Sequence, residues 1–371
     1  MNIRRQLINL DNRNVDFRFG ANAYDELSHI LPGIVGKPKR AILICLETQP
    51  ADRIETIHHA CTHCDFDPTI IALPASCDML LYQSVCDLMQ EFKQAGITAD
   101  DCIIGMGDFA LTSAVACAAT QWRGGTTCVL LPTTLEAMVK CPTTAAGFKL
   151  AADDEEVISI VPHVQLVVAN ADLILEATPE ENASGWLSIL IGAMCSGRAP
   201  WNRFTNSLHS ALEGQQTALS DLVSIGVRGY RDTLMARNPS ARVSIGYGST
   251  TACALSRLLG DRLSPAVLLA EGIRFESRLA TDVSNFDVEA VFDQDDILDM
   301  LDIPEPGFDL EVDDFVQAIK DVCFSRQNRF LIPLPKCLGT VRLSMASDEL
   351  LAEHADAYLY SRKENLIEQN A

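Results

Sequence analysis

Apolar positions fall into two rhythms along this chain. Through the first half, short runs rich in Val, Ile and Leu recur: RAILIC (40–45), PTIIAL (68–73), DCIIGMG (101–107), TCVLLPT (127–133) and QLVVANADLIL (165–175). Between them, residues 52–63, 78–95 and 109–122 have helical length and spacing. Buried strands alternating with helices are the signature of a parallel sheet covered on both faces. Strand-to-helix corners in such sheets gather at the carboxyl edge, where ligands bind. After Pro179 the pattern turns helical over 180–196, 211–236, 249–259, 265–281, 314–324 and 347–365. Only RFLIPLP and GTVRLS, around 329–344, look extended, as a hairpin. The reading is a Rossmann-like α/β domain over 1–178 and a helical C-terminal domain over 179–371. With no low-complexity linker, the two are expected to pack closely and share a cleft.

The charge balance narrows the partners. The chain has 371 residues and a formal charge of −21, from 50 acids against 29 bases. Nucleic acid and anionic membrane surfaces both need a clustered basic face, so neither is expected as a partner. Arg228, Arg231, Arg237 and Arg242 cluster, whereas every ionisable side chain from Asp287 to Asp314 is acidic, which reads as a solvated face. Within that run, Asp293 to Glu305 has alternating acids but puts Leu298 where a calcium loop needs glycine. The N-terminus, MNIRRQLINLDNRN, has no apolar core of a leader, and the most apolar stretch, Trp186 to Cys195, is too short to span a bilayer, so a cytoplasmic location is expected. Thirteen cysteines, among them Cys45, Cys128 and Cys253, are scattered through apolar segments, as reduced core residues are.

Candidate chemistry collects at strand ends. IIGMGD (103–108) places Gly105 and Gly107 just before a helix, where amides and the helix dipole could meet a pyrophosphate; a tight turn without a ligand explains them equally. Glu47 follows RAILIC, where an acid could grip a ribose hydroxyl pair or face solvent. Thr133 and Thr134 could donate hydroxyls to a ligand or cap the next helix. In that helix Glu136 and Lys140 have ion-pair spacing. HHACTHC (58–64) has metal-ligand residue types, but a helix would spread His58, His59, Cys61 and His63 around its axis, and no second Cys/His pair stands at zinc-knuckle spacing. The remaining histidines, His29, His163, His209 and His354, are isolated, and no Ser/His/Asp constellation can be argued.

Taken in order, IIGMGD, a helix, WRGGTTCVLLPTTLEAMVK and VPHVQLVVANADLIL resemble the dehydroquinate synthase family. Its members run glycine-rich turn, helix, Arg-Gly, apolar strand, Pro-Thr-Thr-Leu, then a Pro-x-x-Val strand ending in acids. The resemblance continues at lower fidelity through GWLSILIG (185–192), RVSIGYGSTTACALS (242–256), LSPAVLLAEG (263–272) and SRQNRFLIPLPKCLGTV (325–341). It implies an α/β N-terminal nucleotide-binding domain with a parallel sheet plus an all-α C-terminal domain, usually in a homodimer. The family uses NAD and a divalent metal to convert an open-chain sugar-acid phosphate into a ring.

Carried over residue by residue, the resemblance splits. The family's metal-binding glutamate falls at Ser188, and its two metal histidines fall at Ser249 and Leu263. Two hydroxyls and a leucine cannot replace a carboxylate and two imidazoles. The histidine and glutamate of the adjacent block become Cys253 and Ser256. On the substrate side an aspartate becomes Lys140, a lysine falls near Ala146 with Lys149 as a shifted alternative, and a Gly-Lys-Asn turn falls near ADDEE (152–156). The Pro-x-Gly-Glu block becomes PASC (74–77), and the paired lysines near the end become Phe324-Ser325-Arg326. The nucleotide half keeps Glu47, Gly105, Gly107, Thr133 and Thr134, with Asn170 and Asp172 at the next strand end. The expectation is a non-catalytic relative with no metal and no catalytic residue assigned, able to keep NAD, acting as a homodimer, a partner of another protein or a small-ligand binder. The alternatives are an active 3-dehydroquinate synthase-type lyase, or an enzyme of altered chemistry using Cys253, Lys140, Lys149 or Arg242.

Overall fold

Seven strands form the sheet of the N-terminal unit: β1 (Arg4–Leu10), β2 (Arg13–Gly20), β3 (Arg40–Leu46), β4 (Asp67–Leu73), β5 (Cys102–Gly107), β6 (Thr127–Pro132) and β7 (Leu166–Asn170), in the order β1-β2-β7-β6-β5-β3-β4. The coordinates are a computed structural model and describe residues 3–11, 13–37, 40–152, 155–236 and 242–369. Every pairing from β2 to β4 is parallel, and β1 alone runs antiparallel, to β2. All six residues of β5 are buried. That is why the central strands read as continuous apolar runs: both faces are covered, by helices α1 (Leu27–Val35), α2 (Ala51–His63), α3 (Tyr82–Gln94) and α4 (Phe109–Gln121).

Two features depart from the sequence reading. The leading hairpin β1–β2 is a strand pair where no strands are anticipated. Its first strand, RRQLINL, alternates exposed positions with half-buried ones that become buried at Ile8 and Leu10, and its charged and polar residues hide the apolar ones in any search for continuous runs. The run QLVVANADLIL divides, with β7 ending at Asn170 and the next five residues forming α6 (Asp172–Glu176).

The chain divides into two units by internal contacts, one of Met1–Thr178 with Gly214–Val227, the other of Pro179–Glu213 with Arg228–Ala371. The segment Gly214–Val227, which the sequence reading gives to the second domain, counts with the first. Its helix α9 (Gln216–Leu234) is tied to β1 there: Arg4 pairs with Asp221 at 2.5 Å, and Ser224 donates to Gln6 at 2.8 Å.

The second unit contains α7 (Pro179–Ser196), α8 (Arg198–Leu212), the end of α9, α10 (Ser249–Leu259), α11 (Pro265–Ser284), α12 (Val288–Met300), α13 (Val312–Arg326), the hairpin β8 (Ile332–Cys337) and β9 (Thr340–Ser344), and α14 (Asp348–Gln369). Helix α8 and the break at Gly214 (φ 82°) replace the single long helix expected over 211–236, because only glycine takes that left-handed turn without strain. Helix α12 occupies part of the acidic run. One of its acids is half-buried, Asp295, which pairs with Arg278; beyond the helix Asp309 is exposed and pairs with Lys363 at the surface. Arg237 of the expected basic cluster lies outside the described residues. Among the described residues no helix is long and apolar enough to cross a membrane.

Helix α11 is the hub of this unit and is buried through most of its length, including three charged residues, Glu271, Arg274 and Glu276. Glu271 accepts from Arg274, from the Tyr358 hydroxyl and from Arg362, and Arg362 also pairs with Glu305. This cluster fixes α14 on α11 through groups that are 0%, 1% and 3% exposed at Glu271, Arg274 and Arg362. A ring cluster of Phe275, Phe308, Phe315 and Tyr358 surrounds it.

Candidate functional site

At the carboxyl edge of the sheet, β3 leads outward to β4 whereas β5 leads the other way to β6. Strand order therefore reverses between β3 and β5, and the crevice outside their ends is where an open α/β sheet takes a ligand. Glu47 stands one residue beyond β3, Gly107 closes β5, Thr133 and Thr134 follow β6, and Asn170 closes β7. The sequence-derived positions are thus brought to neighbouring strand ends. Gly105 and Asp172 are set back from that row, within β5 and at the start of α6.

Each of these residues also has a local task. A side chain at Gly105 would meet Val115 at 2.9–3.1 Å, and one at Gly107 would meet Leu111 at 3.1–3.3 Å, so both glycines let α4 press against β5. The first turn of α4 is closed by Asp108, whose Oδ1 accepts from the Leu111 amide at 2.9 Å. This carboxylate takes the helix start where a phosphate would otherwise meet free amides. Thr134 caps α5 (Leu135–Lys140), its hydroxyl accepting from the Ala137 amide at 3.3 Å, and the Thr133 amide donates to the Gly107 carbonyl at 2.8 Å. Tyr24, buried beneath this corner, donates to the Pro132 carbonyl, and burial pushes its phenol far above the ordinary range. Asn170 accepts from the Ala23 amide, and Asp172 accepts from the Asn22 amide at 2.7 Å, so together they fasten the end of β7 to the turn after β2. Glu47 is exposed, and its carboxylate accepts from the Ala75 amide at 3.3 Å.

The lysines settle into similar roles. Lys140 donates to Glu136 at 2.5 Å and lies 5.0 Å above the Phe109 ring, at the start of α4. Ala146 donates its amide to Ser113, and Lys149 forms a backbone bridge with Leu81, so this segment is laid along α3 and α4. Asp153 and Asp154 of the ADDEE turn lie outside the described residues; Glu156 accepts from the Gly147 amide.

In the C-terminal unit the three positions carried over as metal ligands lie on α7, at the start of α10 and just before α11. Ser188 is fully buried and donates to the Ser184 carbonyl at 2.8 Å; Ser249 donates to the Gly246 carbonyl at 2.6 Å; Leu263 is apolar. Among the described residues no three His, Cys, Asp or Glu side chains converge as a metal-holding group. The donor set does not fit a zinc-like ion.

What the sequence did not reveal is Glu276. Its carboxylate is fully buried and accepts from the Gly248 amide at 2.6 Å and from the Thr251 amide and hydroxyl, each at 3.1 Å. It clamps the turn that opens α10. Burial pushes its pKa from the ordinary 4.5 up to about 7, although the amides of Thr251 and Gly248 and the charge of Arg326 pull the other way. Arg326 itself donates to the Cys253 sulfur at 3.3 Å. The only sequence signal for Glu276 is an acid in the middle of an apolar helix.

Comparison with known proteins agrees with this fold. The chain is 21% identical over 354 residues to the 3-dehydroquinate synthase of Thermoanaerobacter sp. (strain X514), covering 93% of this chain and 98% of that one. It is 24% identical over 280 residues to the 3-dehydroquinate synthase of Corynebacterium jeikeium, covering 72% and 74%. Among solved structures it superposes on 2-deoxy-scyllo-inosose synthase complexed with carbaglucose-6-phosphate, NAD+ and Co2+ with a TM-score of 0.82 at 14% identity, over 95% of this chain and 99% of that one. It superposes on the 2-epi-5-epi-valiolone synthase of Streptomyces hygroscopicus subsp. jinggangensis, with NAD+ and Zn2+ bound, with a TM-score of 0.80 at 16% identity, over 97% and 99%. No protein-family profile matches the chain. In sequence the chain is distantly similar to 3-dehydroquinate synthases, and its fold is dehydroquinate synthase-like.

Proposed function

We propose that this chain keeps the dehydroquinate synthase-like fold without the metal-dependent cyclisation chemistry, and acts as a non-catalytic relative: a binder of a small ligand, a regulatory subunit, or a partner of itself or another protein. One observation carries the reading. At the three positions where the resemblance calls for a carboxylate and two imidazoles stand Ser188, Ser249 and Leu263, and both hydroxyls are turned onto nearby backbone carbonyls, Ser188 onto its own helix and Ser249 onto the turn before α10. A divalent ion held by nitrogen and carboxylate donors has nothing to bind there. The substrate side agrees, because Lys140 is engaged by Glu136 and Arg326 is the one cation among residues 324–326.

For NAD the fit is partial. Glu47 is exposed where it would meet a ribose, and Thr133 and Thr134 line the next strand end, while the Asp108 carboxylate holds the helix start where the pyrophosphate would lie. When bound, NAD supplies hydride transfer; Glu47, Gly107, Thr133 and Thr134 would hold it. A second reading, an enzyme of altered chemistry, draws support from the guanidinium of Arg326 against the Cys253 thiol. Phosphate release from the family's open-chain sugar-acid phosphate, measured with NAD and added Zn2+ or Co2+, decides the main claim: none is expected, and turnover abolished by a chelator overturns it. Calorimetric titration of NAD, alone and against Glu47→Ala, tests the nucleotide half.

A further inference from the structure

The motif HHACTHC takes no part in the site above, and the structure divides it between two faces of α2. Cys61 is buried toward the core, where burial pushes its thiol up to about 12, and Cys64 donates to the Ser28 carbonyl at 3.2 Å. His59 and His63 stand four residues apart, one turn above the other on the outer face, both exposed, with ring centres 6.3 Å apart. With His29 of α1 they line a groove of about 620 Å³, which Asp25, Asp52 and Glu55 also border. Among the described residues none of the three imidazoles has a hydrogen-bond partner, which leaves their ring nitrogens available to a ligand.

We propose that this groove is a binding site for a divalent transition-metal ion, held by His59 and His63 with His29 as the third donor from the facing helix. Imidazole nitrogens select borderline ions such as Zn2+, Ni2+ and Cu2+ over Mg2+ and Ca2+, which prefer oxygen. At a metal–nitrogen distance of about 2.0–2.1 Å, two imidazoles sharing an ion have ring centres about 5 Å apart. The pair therefore needs to close by about 1 Å, within the reach of exposed rotamers. As placed, no three donors converge. Binding accordingly draws His29 in, with water or a neighbouring carboxylate completing the shell. The excess of acids, −21 overall with Asp25, Asp52 and Glu55 beside the groove, favours a cation there and disfavours an anion. Helix geometry spreads the full motif around the axis, as the sequence reading has it; what that reading does not see is that a neighbouring helix brings a third histidine to the face that two of them share.

The test is titration calorimetry of the untagged full chain with Zn2+ and, separately, Ni2+ in the presence of excess Mg2+. One ion per chain is expected. His59→Ala and His63→Ala should each weaken binding by about tenfold or more, and His29→Ala by a smaller factor. His58→Ala, on a different side of the same helix, should leave it unchanged. Loss of binding to excess Mg2+, or equal weakening by His58→Ala and His59→Ala, would mean a diffuse acidic or histidine surface and overturn the proposal, as would no uptake at all. Circular dichroism of each variant separates lost binding from lost fold. The site shares no residue with positions 188, 249 and 263, so this titration and the phosphate-release assay succeed or fail independently.

Discussion

Replacing Glu276 by Gln tests whether a buried, ionisable carboxylate is built into the turn that opens α10. The group is fully buried, meets no counter-charge at ion-pair distance among the described residues, and is stabilised as a carboxylate by the amides of Gly248 and Thr251, the Thr251 hydroxyl and the more distant Arg326. Because its folded pKa is raised from 4.5 to about 7, the folded state holds the proton more tightly than the unfolded one. The stability this provides is complete below pH 4.5 and is lost as pH rises through about 7. The difference between those two values corresponds to roughly 3 kcal/mol, the cost of carrying the charge in the interior at alkaline pH. Glu276→Gln removes the titration and keeps the shape. Its amide cannot accept from Gly248 as the second carboxylate oxygen does, which adds a constant loss of about 1–3 kcal/mol. That loss is the same at every pH. Urea unfolding followed by tryptophan fluorescence between pH 5 and 8 should therefore show wild type losing its advantage over the variant as pH rises, by roughly 2.5 kcal/mol across that window, the remainder lying below pH 5. The oppositely shifted Asp101 and Glu305 are present in both proteins and cancel. Parallel stability curves would refute the reasoning.

Two further substitutions probe packing. Glu271→Gln leaves Arg274 and Arg362 buried without their shared carboxylate and should cost about 3–5 kcal/mol, read as a lowered urea midpoint. Gly105→Ala drives a methyl against Val115 and should cost about 1–3 kcal/mol, largely recovered in the double variant Gly105→Ala/Val115→Ala; unchanged stability with lost NAD binding would instead make the glycine a ligand residue.

Strands β3, β5, β6 and β7 were legible because burial on both faces leaves continuous apolar runs, the edge strand β4 because PTIIAL is an apolar run although none of its residues is buried, and the helices of the second unit from their period. The hairpin β1–β2 was not, because an edge strand such as RRQLINL shows water one face and has only half a pattern. Nor was α8, where WNRFTNSLHSAL carries its apolar stripe among polar residues and only Gly197 and Pro200 mark its boundary with the preceding helix. At the candidate site the sequence correctly placed Glu47, Gly107, Thr133 and Asn170 at strand ends, since strand ends follow from strand periods. It could not show that Asn170 and Asp172 fasten the turn after β2, or that Glu276 reaches the turn before α10, because those facts depend on pairings 147, 150 and 28 residues apart, which no local pattern encodes; the Asp108 cap of α4, spanning 3 residues, was a local signal that the strand-end reading passed over.

The central claim is that the fold persists while the metal-dependent chemistry does not. It is tested most directly by phosphate release from the family's open-chain sugar-acid phosphate, with purified protein, NAD and added Zn2+ or Co2+. The account predicts a rate no greater than that of buffer, for wild type and for a Ser249→Ala variant alike. Sustained phosphate release by wild type that a chelator stops and Ser249→Ala reduces would contradict it.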